Sequence, residues 1–126
     1  MLLQQTITKI AEVGGGVIVD PATDLMTVNQ ELLISLVLCR CQVSLAGSKR
    51  WAIRIDLGLG PDLTIAVRMA EGEASALDYY ILPTVEMTTP RLRLAESNPS
   101  SLEMYRFETL DVLAELSRRS VYRRVA

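Results

Sequence analysis

The chain contains no histidine and few aromatic residues. Its 126 residues include one Trp, one Phe and four Tyr, and the only lysines are Lys9 and Lys49. The absence of histidine removes the commonest general base, the usual zinc ligand and the usual pH switch near neutrality. Few aromatic side chains among 49% hydrophobic residues indicate an aliphatic core. We therefore expect no cofactor and a binding rather than a catalytic protein.

The two cysteines, Cys39 and Cys41, are separated by one residue. On a strand they would point to the same face about 6.6 Å apart, which is poor geometry for a disulfide. We predict two buried thiols, which favours a reducing compartment and a cytoplasmic location. The first residues lack the basic leader and cleavage site of a signal peptide. The longest apolar run is far shorter than the roughly 20 residues that cross a bilayer, so we expect no membrane association.

Length and periodicity predict one α+β domain over residues 1–126. Apolar residues between positions 2 and 13 follow helical spacing, and the three glycines after them should end the helix. A short strand and a proline-containing turn are expected over residues 16–24. The first helix is therefore predicted to precede every strand.

Period-two alternation from Ile34 to Leu82 predicts a β-meander with one apolar face. The predicted strands cover residues 31–45, 50–56, 63–69 and 77–83. Pairing apolar residues with apolar residues places Leu45 opposite Trp51, and Leu57 opposite Leu63. The same register places Arg40 opposite Asp56 on the other face.

The last third of the chain carries helix signals. Thr89 and Pro90 suit the N-cap and first position of a short helix over residues 90–97. The apolar spacing from Leu102 to about Arg119 predicts a longer C-terminal helix. We therefore predict an α+β fold in which an antiparallel meander of about four strands carries the N-terminal and C-terminal helices on its apolar face.

The first candidate site is a set of arginines on the outward face of this sheet, Arg40, Arg54 and Arg68. Three guanidinium groups could bind phosphate or an acidic partner. The alternative is a solvated face on which Arg40 pairs with Asp56 across two strands. No aromatic residue occupies these outward positions, which argues against a platform that stacks single-stranded bases.

The second candidate site is the basic C-terminus. The last nine residues hold four arginines and no acid, so subtracting these charges from the overall −2 leaves −6 for the rest of the chain. The residues that could contact phosphates or dock a partner are Arg118, Arg119, Tyr122, Arg123 and Arg124. A helix end with favourable cations is the alternative interpretation.

The segment RIDLGLGPDLTIAV, residues 54–67, combines an Asp at the end of a strand, a glycine-containing turn and a second strand. It resembles the opening hairpin of ribonuclease H-like nucleases, which include Holliday-junction resolvases and terminase nucleases. The resemblance implies that Asp56 would bind a catalytic metal. Glu103, Glu108 and Asp111 are the acidic residues of the predicted C-terminal helix that could complete a two-metal site.

The sequence supports three functional hypotheses. The first is a small non-catalytic cytoplasmic accessory domain that docks a protein partner or acts as a subunit of a larger assembly, with homo-oligomers possible. The second is an accessory protein that binds nucleic acid through its arginines. The third is a metal-dependent nuclease centred on Asp56.

Overall fold

The computed structural model describes residues 2–29, 31–58, 60–72, 75–96 and 101–116, and it has an α+β architecture with two β-sheets. The helices and strands are α1 (Leu2–Gly14), β1 (Val17–Val19), β2 (Met26–Val28), β3 (Leu32–Cys39), β4 (Gln42–Val43), β5 (Lys49–Arg54), β6 (Leu63–Met69), β7 (Ala76–Pro83), β8 (Arg91–Ala95), β9 (Arg106–Phe107) and α2 (Leu113–Leu116). Within these ranges, 3-10 helices cover Thr84–Glu86 and Ser101–Tyr105.

The larger sheet has six strands in the order β1-β2-β3-β6-β7-β9, and the smaller sheet has three in the order β4-β5-β8. The large sheet is mixed, because β3 and β6 run parallel while its other neighbours are antiparallel. A parallel pair needs a long crossover connection, and the hairpin of β4 and β5 lies within it. The small sheet is therefore built largely from the connection between two central strands of the large one.

Both faces of the large sheet are covered over part of their area. On one face, α1, through Ile10, and the segment around α2, through Leu110 and Leu113, pack on β2, β3, β6 and β7. On the other face, Trp51 and Ile53 of β5 and Leu94 of β8 pack on residues of β6 and β7, including Ala66, Tyr80 and Leu82. The result is three layers: helices, large sheet and small sheet.

Helix α1 ends at Gly14, as the glycine run predicts. Gly15 and Gly16 have φ angles of 95° and 123°, a region that L side chains rarely adopt, and their N–H groups both donate to the carbonyl of Ala11. Gly14 itself needs no positive φ. Its Cα instead lies against the buried side chain of Val28 in β2, so that an added Cβ would overlap Val28 Cγ1.

Gly14→Ala is therefore expected to destabilise the protein by about 1–3 kcal/mol, the usual effect of overpacking a core. The direction of this stability change is informative, because replacing Gly with Ala in an unobstructed helix stabilises a protein by roughly 1 kcal/mol. Urea unfolding measures the difference, with Gln5→Ala on the exposed side of α1 as the control. A more stable Gly14→Ala protein would contradict this packing.

The structure corrects the predicted sheet. It has more than four strands and is not purely antiparallel. The predicted pairing of Leu57 with Leu63 is wrong, since β5 and β6 belong to different sheets. The hairpin of β4 and β5 forms in another register, with Val43 opposite Lys49, and Leu45 lies fully exposed in the turn. Consequently no strand pairing places Arg40 opposite Asp56.

The predicted helix over residues 90–97 is also wrong, because Arg91–Ala95 forms β8. Over residues 102–116, the longer helix predicted from Leu102 to about Arg119 is replaced by a 3-10 helix, strand β9 and the single turn of α2. The last residues of that prediction lie outside the described part of the chain. In β8, the Arg-Leu-Arg-Leu sequence at positions 91–94 alternates with period two. Burial of its leucines against the large sheet overrides the helix-start signal of Thr89 and Pro90.

The two thiols are free, with Cys39 buried and Cys41 half-buried. Burial raises the pKa of the Cys39 thiol to about 12, so this group stays protonated near neutral pH. Within the part of the chain that the structure describes, no helix has the length and apolar character needed to cross a membrane.

Candidate functional site

The predicted arginine cluster does not exist as one surface. Arg54 is exposed on the outer side of the small sheet, whereas Arg68 lies between the two sheets with its guanidinium 4.5 Å from the centre of the Trp51 ring. Arg40 is exposed and follows the end of β3. The predicted shared face is wrong because the prediction assumed a sheet with one covered face, whereas the small sheet covers the second face of β6. Binding by these arginines stays a prediction.

Arg68 belongs to an internal ion network. Its Nε donates to Asp78 Oδ1 at 2.8 Å and its Nη2 to Oδ2 at 2.5 Å, while Arg106 Nε donates to Oδ2 at 2.6 Å. The Asp78 side chain is fully buried. Hydrogen bonding to Asp78 raises the pKa of the Arg68 guanidinium above its ordinary value. The Arg68 guanidinium is therefore paired with a buried carboxylate and packs against the Trp51 ring.

A different arginine cluster covers the outer face of the small sheet. Alternation along β5 buries Trp51 and Ile53 and exposes Arg50, Ala52 and Arg54. Strand β8 likewise turns Leu94 inward. The exposed arginines of the two strands are Arg50, Arg54, Arg91 and Arg93, which we call the arginine face.

The register of β5 and β8 brings these charges together. Arg54 lies directly opposite Arg91, Ala52 opposite Arg93, and Arg50 opposite Ala95. Directly paired residues of neighbouring strands have Cβ atoms about 5 Å apart, and residues four apart along a strand are separated by about 14 Å. Like charges in directly opposite positions oppose sheet formation. This face therefore carries a local electrostatic cost that its fold has to offset.

The arginines of this face have no acidic partner among the described residues. Across the described ranges, no ion pair or guanidinium hydrogen bond involves Arg50, Arg54, Arg91 or Arg93. The neighbouring Lys49 differs, since its ammonium lies 3.7 Å from Glu71 and 3.9 Å from Glu96. Four exposed guanidinium groups without acidic partners suit an external anion with several charges.

The strand ends at this face are held in place. The N–H of Ile55 donates to the carbonyl of Pro90 at 2.8 Å, which extends the ladder of β5 and β8 by one bond beyond Arg54 and Arg91. Next to Arg54 an open cleft of about 560 Å³ separates the end of β5 from β3. Its lining includes Ser35, Val37 and Asp56. Arg54 thus borders both the sheet face and the cleft.

Asp56 does not occupy the position that the nuclease resemblance implies. It follows β5 in the small sheet, and the chain then crosses to β6 in the large sheet, so the expected hairpin does not form. In the described ranges no group of three or more His, Cys, Asp or Glu residues is arranged to hold a metal ion. The structural context on which the resemblance depends is therefore missing.

Known proteins add no further guide. No protein-family model, curated protein or solved structure matches the chain. A function for this protein therefore has to be inferred from the geometry of the chain alone.

Sequence reasoning found one member of the arginine face and missed three. It identified Arg54 from the alternation of β5. It missed Arg91 and Arg93 because their segment was predicted to be a helix. Arg50 was placed at the start of the predicted strand over residues 50–56, but it was not included among the outward arginines. The alternation RLRL at positions 91–94 is the signal that could have found the second strand. The tail residues Arg118, Arg119, Tyr122, Arg123 and Arg124 lie outside the described residues.

Proposed function

We propose that this protein is a non-catalytic accessory domain that binds nucleic acid through the arginine face. The supporting observation is the direct opposition of Arg54 and Arg91 within a set of four exposed arginines that have no acidic partner among the described residues. A phosphate backbone offers a row of negative charges, and arginine binds phosphate through two parallel hydrogen bonds.

The overall charge of −2 does not oppose this proposal. A local cluster, rather than the net charge, sets the potential that a bound phosphate experiences within about 10 Å at moderate ionic strength. Two acids elsewhere in the fold are paired with other arginines, Asp78 with Arg68 and Glu103 with Arg106. The arginine face therefore remains a basic surface on an acidic protein.

The test is to replace Arg50, Arg54, Arg91 and Arg93 with glutamine and to measure binding of labelled oligonucleotides by fluorescence anisotropy over a salt series. Wild-type affinity should fall with salt, and the variant should reduce the slope of log K against log salt by about 0.7–0.9 for each phosphate that it no longer neutralises. Its unfolding free energy should stay equal or rise by a few tenths of a kcal/mol, because like-charge repulsion is relieved.

The matched control carries glutamine at Arg118, Arg119, Arg123 and Arg124, which removes the same number of charges from the C-terminus. If the tail variant loses binding and the sheet variant does not, the arginine face is not the binding surface. If polyglutamate binds as tightly as the oligonucleotides, the natural partner is an acidic protein instead. Cleavage of the probe with magnesium, abolished by Asp56→Asn, would support the nuclease hypothesis.

Docking of a protein partner and self-association stay predictions from the sequence. Sedimentation velocity on the full chain tests self-association, since one monomeric species across the concentration range would exclude a stable homo-oligomer.

A further inference from the structure

We infer that the nucleic acid is duplex DNA of B form, and that the ribbon of β5 and β8 enters its major groove with the arginine face toward the bases. This inference rests on the proposed function and names the form of nucleic acid that the same surface would take. Three features of the face carry it: its side-chain composition, its width and the spacing of its charges.

The composition of the face argues against single strands. Its outward residues on β5 and β8 are Arg50, Ala52, Arg54, Arg91, Arg93 and Ala95. Proteins that bind single strands place aromatic rings where successive bases can stack. The one aromatic residue of these two strands, Trp51, is 1% exposed and points away from this face. Its ring contacts Arg68 between the two sheets. The surface can bind phosphates and base edges, but it offers no aromatic platform.

The width of the face suits a groove. Strand β4 is only two residues long and pairs with Lys49 and Arg50 at one end of β5. At the other end, which carries Arg54 and Arg91, the small sheet consists of β5 and β8 alone and forms a two-stranded ribbon. The major groove of B-DNA is about 12 Å wide and admits such a ribbon. The major groove of A-form RNA is too deep and narrow for side chains to read. The shape therefore selects DNA over duplex RNA.

The spacing of the charges assigns a role to each pair. Antiparallel strands rise about 3.4 Å per residue, the same as the rise per nucleotide of a DNA strand, so Arg50 and Arg54 span about four base-pair steps. Arg54 and Arg91 lie at the held end of the ribbon and can meet guanine O6 and N7, the commonest specific contact of arginine. Arg50 and Arg93 lie further back and can reach flanking phosphates. Ala52 and Ala95 leave room for the close approach of the duplex.

The experiment uses the full chain and three labelled probes of one sequence: duplex DNA, its separated strands and duplex RNA. Duplex DNA should bind at least about tenfold more tightly than the other two. Replacing guanine with 7-deazaguanine removes the N7 acceptor from the major groove and should weaken binding about tenfold. The double variant Arg54→Gln, Arg91→Gln should bind the guanine and 7-deazaguanine duplexes with the same affinity. The double variant Arg50→Gln, Arg93→Gln should bind both of these DNA duplexes more weakly by the same factor.

The outcomes separate this inference from the proposed function. Equal affinity for single and double strands, or no effect of 7-deazaguanine, would overturn placement in the major groove. Salt-dependent binding that the arginine variants abolish would still support the proposed function in that case. No binding to any probe at low salt would overturn both. Far-UV circular dichroism of each variant establishes that it is folded.

Discussion

Asp78→Asn is expected to lower the free energy of unfolding by about 3 kcal/mol, the lower end of the range for breaking a buried ion pair. Asparagine keeps the shape of the side chain and removes its charge. The Asp78 carboxylate is fully buried and accepts three hydrogen bonds from Arg68 and Arg106. Without it, Arg68 loses its counterion, and Arg106 keeps only the more distant carboxylates of Glu103 and Glu108. The loss should not reach the upper end, because the Arg106 side chain is 33% exposed and can be partly solvated.

Urea unfolding followed by the fluorescence of the single tryptophan measures this loss. Asp111→Asn is the matched control, since it removes an exposed carboxylate and should change stability by less than about 0.5 kcal/mol. Replacing Asp78 with Leu together with Arg68 and Arg106 with Met should recover much of the lost stability, because no buried charge of this network remains. Equal stability of the two Asp-to-Asn variants would show that the network contributes nothing.

Trp51→Ala is expected to destabilise the protein by about 4 kcal/mol, a typical cost for truncating a large buried aromatic side chain. The ring is 1% exposed and lies in the core between the two sheets. Its Nε1–H donates to the carbonyl of Met69 at 2.9 Å, and its face contacts the Arg68 guanidinium. Truncation would leave a cavity, an unpaired carbonyl and an arginine without its ring.

Trp51→Phe separates these contributions. Phenylalanine keeps an aromatic face for Arg68 and fills most of the space, but it has no N–H for Met69, so the expected loss is about 1–3 kcal/mol. Far-UV circular dichroism follows unfolding here, because both variants lack the fluorescent reporter. Leu77→Ala on the exposed side of β7 is the control. If the Ala and Phe variants were equally stable, the ring would contribute little beyond its hydrogen bond.

Much of the secondary structure could be predicted from the sequence because its signal is local. The helix that ends at Gly14 and the strands β5, β6 and β7 each show a clear period and clear turn residues at their ends. Strand β8 was missed because Thr89 and Pro90 carry a helix-start signal that only burial of Leu94 against the large sheet overrides.

The pairing of strands could not be predicted because it is not local. Apolar residues on β5 and β6 suit a shared face equally well in a hairpin or across two packed sheets. The insertion of β6 beside β3 decides between these arrangements, and that contact joins segments far apart in the chain. The position of Arg68 depends on the same choice. For the arginine face, the alternation within each strand was readable, but the opposition of Arg54 and Arg91 was not.

The chain passes between the two sheets several times, so the two sheets are covalently linked at several points. The chain passes from the large sheet to β4, returns from β5 to β6, leaves again from β7 to β8, and returns to β9. Neither sheet can be cut out as a continuous fragment. A partner that binds β5 and β8 together would also restrain the connections that lead to β6 and β9. Its binding energy would therefore resist the opening of the helix-covered layer on the far side of the large sheet.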